Sequence, residues 1–480
     1  MGGLIRTSPA EVGLNAAALN EYLHALGGHG CHSVMVMRHG RVALEGWWKP
    51  YSKDVCHIAY SLSKSFVTVA VGFAVQEGLL SVSDRLVDFF PELLPDPPCE
   101  NMRRVTVRDL LTMNMGHRGR TDHDFYRDPD WLENMLRLYL ENVPGTNFFY
   151  DNRCTYLCSR IITKLTGLSV YDYLTPRLFE PLGMSGLWWE QTDGVNPGGW
   201  GLNLTTEHIA RFGQFLLDRG SWDGKQLLNA EWIDTASSRL VENAGISVND
   251  WDDWQQGYGY FIWQCVPDRV YRGDGAFGQF VIVAPEQDMV IAITAGTNRA
   301  CDLLTDTWKM LDDAVDRPSD AALPELLAHA AALEIPPAAG EYTAPGYFPG
   351  GKYIFPKNEA GFVSLTLTPG DRDTLEIVTE TGVFTAEAGH GEWTERVTGY
   401  EADRFSAMSS FLYSRAACCG AWDGEVYIIK LAFTETPYTD TMSLVFGPDC
   451  VHLKYSCDPY LPLRHGVIEL CGWREGLFER

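Results

Sequence analysis

The chain has 480 residues, with 63 acidic against 38 basic side chains, a formal net charge of -25 and 45% hydrophobic residues. That length exceeds one ordinary domain and allows a large core plus an accessory module. So acidic a surface repels phosphate backbones and anionic lipid, which argues against nucleic acid or a membrane as partner, while a homo-oligomer remains compatible with it.

The N-terminal stretch MGGLIRTSPAEVGL lacks an apolar signal-like core, and no apolar run approaches the roughly 20 residues of a membrane span, so the expectation is a cytoplasmic protein. The twelve cysteines form no C-x-x-C pair and read as reduced, mostly buried thiols. No His/Cys spacing supports a zinc site or a catalytic cysteine, and no cofactor is expected.

Residues 8–27 are expected as a helix opened by Ser8-Pro9-Ala10-Glu11. SVMVMRHGRVALEGWW then places two apolar runs around Arg38-His39-Gly40-Arg41, the pattern of a hairpin, with His39 as a turn residue.

Next comes Tyr60-Ser61-Leu62-Ser63-Lys64, leading into the apolar run VTVAVGFAVQEGLL. Residues three apart share a helix face, so the Lys64 amine can hang beside the Ser61 hydroxyl. A serine is a poor nucleophile until a neighbouring base takes its proton. Lysine is such a base only where burial favours its neutral form, and a helix apolar nearly all round supplies that burial. The free N–H groups of its first turn can hold an anion near Ser61. The plain alternative is a capping serine followed by a solvated lysine; a lone Ser-x-x-Lys does not decide.

VTVRDLLTMNMGH, residues 105–117, is expected as a helix capped at Thr106. The loop after it, GHRGRTDHDF, holds His117, His123 and several aspartates and reads as solvated, because no ligand triplet is spaced for one metal. Pro144-Gly145 then breaks the chain before Phe148-Phe149-Tyr150-Asp151-Asn152 and an amphipathic helix. Tyr150 is most simply a core aromatic; near a lysine ammonium its phenol could shuttle a proton, with Asn152 orienting Lys64 or a substrate amide. A Gly-rich turn around Trp200 precedes a helix capped near Thr205 or Thr206. From Gly257 the runs YGYFIWQC, RVYRGDGAFGQFVIVAP and DMVIAITAGT read as an antiparallel meander, closed by the helix DLLTDTWKMLDDAV.

A Pro/Ala-rich stretch, residues 317–340, reads as a linker carrying one short helix. It separates a first domain, 1–316, from a second, 341–480, where FVSLTLTP, TLEIVTE, VYIIKLAF, TMSLVFG and VHLKYSC indicate an antiparallel β sandwich or barrel.

Taken together, Ser61-x-x-Lys64, VTVRDLLT, PGTNFFYDN with Tyr150-x-Asn152, LFEPLGM and the Gly-Gln-x-x-x-x-x-Pro stretch at 278–285 resemble the serine β-lactamase and penicillin-binding-protein superfamily. The likeness is greatest to its class C-like esterase, D-aminopeptidase and amidohydrolase branch, over about residues 8–315. The resemblance implies an α+β fold: an antiparallel sheet made from both ends of the domain, flanked by helices, with a helical subdomain and the site in the cleft between. It implies acyl transfer through a covalent acyl-serine. Ser61 would attack, Lys64 would take its proton, Tyr150 would relay the proton to the leaving group, and Asn152 would position Lys64 or substrate. The backbone N–H groups of Ser61 and Ala276 would form the oxyanion hole. The family's third motif aligns with Gly273-Asp274-Gly275, which keeps the Gly275 position but lacks the basic first residue. Arg272 stands one place earlier on a strand whose side chains alternate faces, so it replaces that residue only if a bulge swings it inward. The second domain resembles, more weakly, the lipocalin-like domains attached to some members.

The resulting expectation is a serine hydrolase acting on a small-molecule ester or amide. A D-amino-acid peptidase or β-lactamase is the alternative within enzymes, and a catalytically idle penicillin-binding-like sensor the alternative outside them. Hydrolysis and acyl transfer to an alcohol or amine use the same residues, and the sequence does not separate them.

Overall fold

The computed structural model describes residues 3–118, 130–245, 251–344, 348, 350–358, 361–380, 382–395, 397–398, 415–459 and 467–477. His123 and the aspartates around it lie outside this set.

The first domain is built on a seven-stranded sheet. Its strands, in chain order, are β1 (Ile5–Arg6), β2 (Cys31–Arg38), β3 (Arg41–Trp47), β4 (Trp263–Gln264), β5 (Tyr271–Gly275), β6 (Gln279–Ala284) and β7 (Met289–Ala295). Across the sheet they run β1-β3-β2-β7-β6-β5-β4, so strands from the two ends of the domain meet where β2 pairs antiparallel with β7. Only the short β1–β3 pair is parallel. The hairpin turns at His39 and Gly40, whose φ of 53° and 68° are the left-handed values such a turn requires. His39 is a turn residue, with Nδ1 2.7 Å from Asp288 Oδ2.

β2, β6 and β7 are buried at every residue because helices cover both faces of the sheet. The helix Thr206–Leu217 lies so close to one face that a Cβ on Gly213 would come within 2.4 Å of a Val290 methyl. On the other face, Leu23 of the helix Ala16–Gly28 and Leu333 close over Gly46. The N-terminal helix is shorter than its sequence suggests: a 3-10 turn at Ala10–Val12 ends at Gly13, φ 74°, and a new helix starts behind the Asn15 cap. Asn15 accepts from the Ala17 and Ala18 amides, which the helix cannot otherwise satisfy. The stretch 105–117 likewise forms only the short helix Val107–Leu111. Thr106 caps it as expected, in a capping box with Asp109, and the left-handed Met113 turns the chain away.

The second domain is a ten-stranded antiparallel sheet that curls into a nearly closed barrel. Its ends meet where Cys418 N–H donates to Thr394 O at 2.8 Å, Thr394 N–H to Cys418 O at 3.0 Å, and Gly420 N–H to Gly389 O at 3.0 Å. Alternate residues of the strand Val426–Phe433 point inward, and Tyr427, Ile429 and Leu431 join Leu365, Leu375, Leu444 and Leu453 in the core. Of the two architectures open from the sequence, the barrel is the one adopted. The helix Leu323–Ala331 packs on the core of the first domain through Leu326, as does Leu333, whose carbonyl accepts from Lys49 N–H at 3.0 Å.

Candidate active site

Ser61 sits in a 3-10 turn, Tyr60–Leu62, at the head of the helix Ser63–Gln76. Twelve successive residues of that helix, Ser63 to Ala74, are buried, which explains why its sequence is apolar on all sides. Lys64 is therefore carried into the interior, 1% exposed, and must find its partners there. Its Nζ lies 2.9 Å from Ser61 Oγ and donates to the Gly199 carbonyl at 2.8 Å.

The same ammonium stands 5.0 Å from the centroid of the Tyr150 ring. Tyr150 stacks on Trp263, centroids 5.4 Å apart, at the end of the loop that delivers Asn152 to the first turn of the helix Asn152–Thr166. Asp151 caps that helix, accepting from Arg153 N–H at 3.0 Å while its carboxylate pairs with the Arg153 Nε at 2.7 Å. Asn152 meets Lys64 around Gly199: a Cβ at residue 199 would lie 3.1 Å from Asn152 Oδ1 and 3.4 Å from Lys64 Nζ. The structure thus brings Ser61, Lys64, Tyr150 and Asn152 together. Gly199 was missed from sequence; its only signal was the Gly-Gly-Trp-Gly turn.

Gly275 is packed so tightly that a Cβ there would fall 2.1 Å from the Ala59 carbonyl oxygen. This contact holds the segment before Ser61 against the turn that carries Ala276. Tyr60 and Phe277, the neighbours of Ser61 and Ala276, meet edge-on with centroids 5.5 Å apart. Both take left-handed backbone conformations, φ 46° and 68°, strain that tends to gather where a functional loop is over-determined by its surroundings.

Arg272 does not reach the cleft. The β5–β6 ladder is unbroken from Tyr271↔Val283 to Gly275↔Gln279, so no bulge turns its side chain inward. It is fully buried, its guanidinium 4.5 Å from the Trp254 ring. Nη1 donates to the Asp253 carbonyl at 2.9 Å, and Nε donates to Asp274 Oδ2 at 3.0 Å. Asp274 takes the middle place of the third motif. Burial pushes its carboxyl up to about 6, although the charges of Arg272 and Lys64 pull it back. The middle place of the third motif is therefore an acid within reach of the Lys64 charge, and it forms an ion pair with the nearby arginine.

The barrel reaches this site through the turn between its strands Val426–Phe433 and Thr439–Phe446. Tyr60 Oη donates to Tyr438 Oη at 2.8 Å, Ile58 N–H donates to Glu435 O at 2.9 Å, and Tyr438 packs on Phe277 with centroids 5.7 Å apart. Sequence reasoning assigned the second domain no residue at the site; a contact across so much chain leaves no local pattern.

A Ser-x-x-Lys pair on a buried helix, beside an antiparallel sheet built from both ends of its domain, defines the β-lactamase and transpeptidase class of fold. The chain belongs to the Beta-lactamase family, which it matches over residues 19–314. It is 26% identical over 333 residues to penicillin-binding protein 4 of Amycolatopsis lactamdurans, covering 60% of this chain and 84% of that protein. It is 23% identical over 287 residues to the 6-aminohexanoate-dimer hydrolase of Paenarthrobacter ureafaciens, covering 54% and 70%. The octameric penicillin-binding protein homologue of Pyrococcus abyssi shares the fold with a TM-score of 0.50 at 15% identity, over 95% of this chain and 99% of that one. Among the described residues, no helix is long and apolar enough to cross a membrane.

Proposed function

We propose that this chain is a serine hydrolase that forms an acyl-Ser61 intermediate on a small ester or amide lacking a carboxylate next to the scissile group. The observation that carries this reading is the 2.9 Å contact of buried Lys64 Nζ with Ser61 Oγ. As the neutral amine, Lys64 accepts the Ser61 proton while Oγ bonds to the substrate carbonyl carbon. The resulting oxyanion is met by the N–H groups of Ser61 and Ala276, held on abutting segments. Tyr150, beside the Lys64 ammonium, passes the proton to the leaving alcohol or amine as that bond breaks. Water then adds to the acyl carbon, giving its proton back through the same pair, and the acid leaves with Ser61 restored. Asn152 positions Lys64 or a substrate amide.

The substrate restriction rests on Asp274. Where the family resemblance implies a base suited to a carboxylate, this chain has Gly273, and the next residue, Asp274, is an acid already paired with Arg272. The relative named a 6-aminohexanoate-dimer hydrolase supports hydrolysis as the reaction class.

A panel of p-nitrophenyl esters, D-amino-acid anilides and a chromogenic cephalosporin tests the reading. Lys64→Ala and Tyr150→Phe should each lower kcat on the best substrate by about a hundredfold, as expected of groups in proton transfer. Tyr150→Phe with an unchanged kcat would return Tyr150 to a packing role.

A further inference from the structure

On the far side of the barrel, three potential ligands converge that are distant in sequence. Cys450 and His452 lie two apart on the strand Cys450–Asp458, and Cys471 on the strand Ile468–Arg474. His452 pairs directly with Cys471 in the ladder, and Cys450 pairs one step along, with Trp473. Side chains two apart share a sheet face, so all three stand on one face. Their ligating atoms lie within 4.8 Å of one another, with Cys450 Sγ 3.9 Å from His452 Nε2.

Those separations suit a single ion. With zinc–sulfur bonds of about 2.3 Å and zinc–nitrogen bonds of about 2.0 Å, tetrahedral ligand atoms stand about 3.5–3.8 Å apart. Small side-chain rotations close the difference, and the backbone beneath is fixed by the ladder and by Arg474 N–H donating to Asp449 O at 2.8 Å. Cys450 and Cys471 are half-buried and His452 is exposed, and His452 and Cys471 line a groove of about 480 Å³ that also includes Ser443, Lys454 and Glu469.

We propose that Cys450, His452 and Cys471 form a site for a thiophilic divalent cation of the Zn²⁺ class, with the fourth position open to water. Binding forms two metal–sulfur bonds and one metal–nitrogen bond and releases two thiol protons, so the complex is neutral and weakens as pH falls. The ion ties the last two strands of the barrel together, on the opposite account from catalysis: nothing in the hydrolase mechanism requires it.

The full-length chain, reduced and held under inert gas, is titrated with Co²⁺ and then with Zn²⁺. One equivalent of Co²⁺ should give near-ultraviolet thiolate charge-transfer absorption, which Zn²⁺ then abolishes. Cys450→Ser, Cys471→Ser and His452→Ala should each weaken binding by at least about tenfold, since even outer-shell changes cost that much. In the unaltered chain, one equivalent of Zn²⁺ should protect Cys450 and Cys471 from alkylation, read by peptide mass mapping; this arm does not depend on the variants folding. Absence of the cobalt–thiolate band in the reduced chain, binding undiminished in Cys450→Ser/Cys471→Ser, or unprotected thiols would each overturn the proposal.

Discussion

The hydroxyl of Tyr60 donates to the hydroxyl of Tyr438 at 2.8 Å, joining the residue before Ser61 to a turn of the second domain 378 positions away. Tyr438 also packs on Phe277, the residue after Ala276. One barrel side chain thus braces both the segment leading into Ser61 and the turn that carries Ala276.

Removing that brace should disturb catalysis from outside the reacting groups. Tyr438→Phe loses one buried hydrogen bond, about 1 kcal/mol of stability, and should change kcat little. Tyr438→Ala leaves a cavity, costs about 3–5 kcal/mol and should lower kcat by about tenfold. Thermal unfolding and ester kinetics on the two variants check this. A destabilised Tyr438→Ala with kcat within about twofold of the parent would show that the barrel does not shape the site.

Asp274 yields a prediction in pH. Burial holds its carboxyl up at about 6, so above that value the strand near Lys64 gains a negative charge, which pairs with Arg272. Preference for a neutral ester over a carboxylated substrate, as the ratio of kcat/KM values, should therefore rise as pH increases through about 6. Asp274→Asn should flatten that rise and narrow the ratio by about tenfold to a hundredfold, the worth of one charged hydrogen bond. A ratio independent of both pH and Asp274 would contradict the assignment.

A buried histidine pair near the domain junction sets a third expectation. His32 Nδ1 lies 3.3 Å from His57 Nε2, and Tyr51, stacked on His32, donates through its hydroxyl to the Thr436 carbonyl at 3.3 Å. Burial lowers the His57 imidazole to about 4 from an ordinary 6.5 and pushes His32 down as well. Because the folded value is depressed, the unfolded chain takes up protons first. Stability is complete above pH 6.5 and is lost as pH falls toward about 4. Tm should drop across that window, and less steeply in His57→Gln. Equal slopes in the two proteins would exclude His57 as the cause.

Much of this was legible because it is local or periodic. The hairpin around His39-Gly40, the Thr106 cap, the all-apolar helix behind Ser61 and the alternating strands of the second domain each leave a short-range pattern. Helix ends were less legible: Gly13 and Asn15 stop and restart the first helix within what looks like one continuous run. At the site, the Ser61–Lys64 pair follows from spacing alone, whereas the Gly199 carbonyl, the Arg272–Asp274 pair and Tyr438 depend on how distant segments pack. Arg272 illustrates the limit. Its strand position is readable, but its enclosure by Trp254, Asp253 and Asp274 is a property of the folded chain.

The central claim is that Ser61 is the nucleophile, and the most direct measurement is the site of covalent labelling by a fluorophosphonate, which reacts with an activated serine by losing fluoride. Mass mapping of the labelled chain should place a single adduct on Ser61, and Ser61→Ala should abolish both labelling and ester turnover. An adduct on another serine, or labelling of Ser61→Ala at the parent level, would contradict the account.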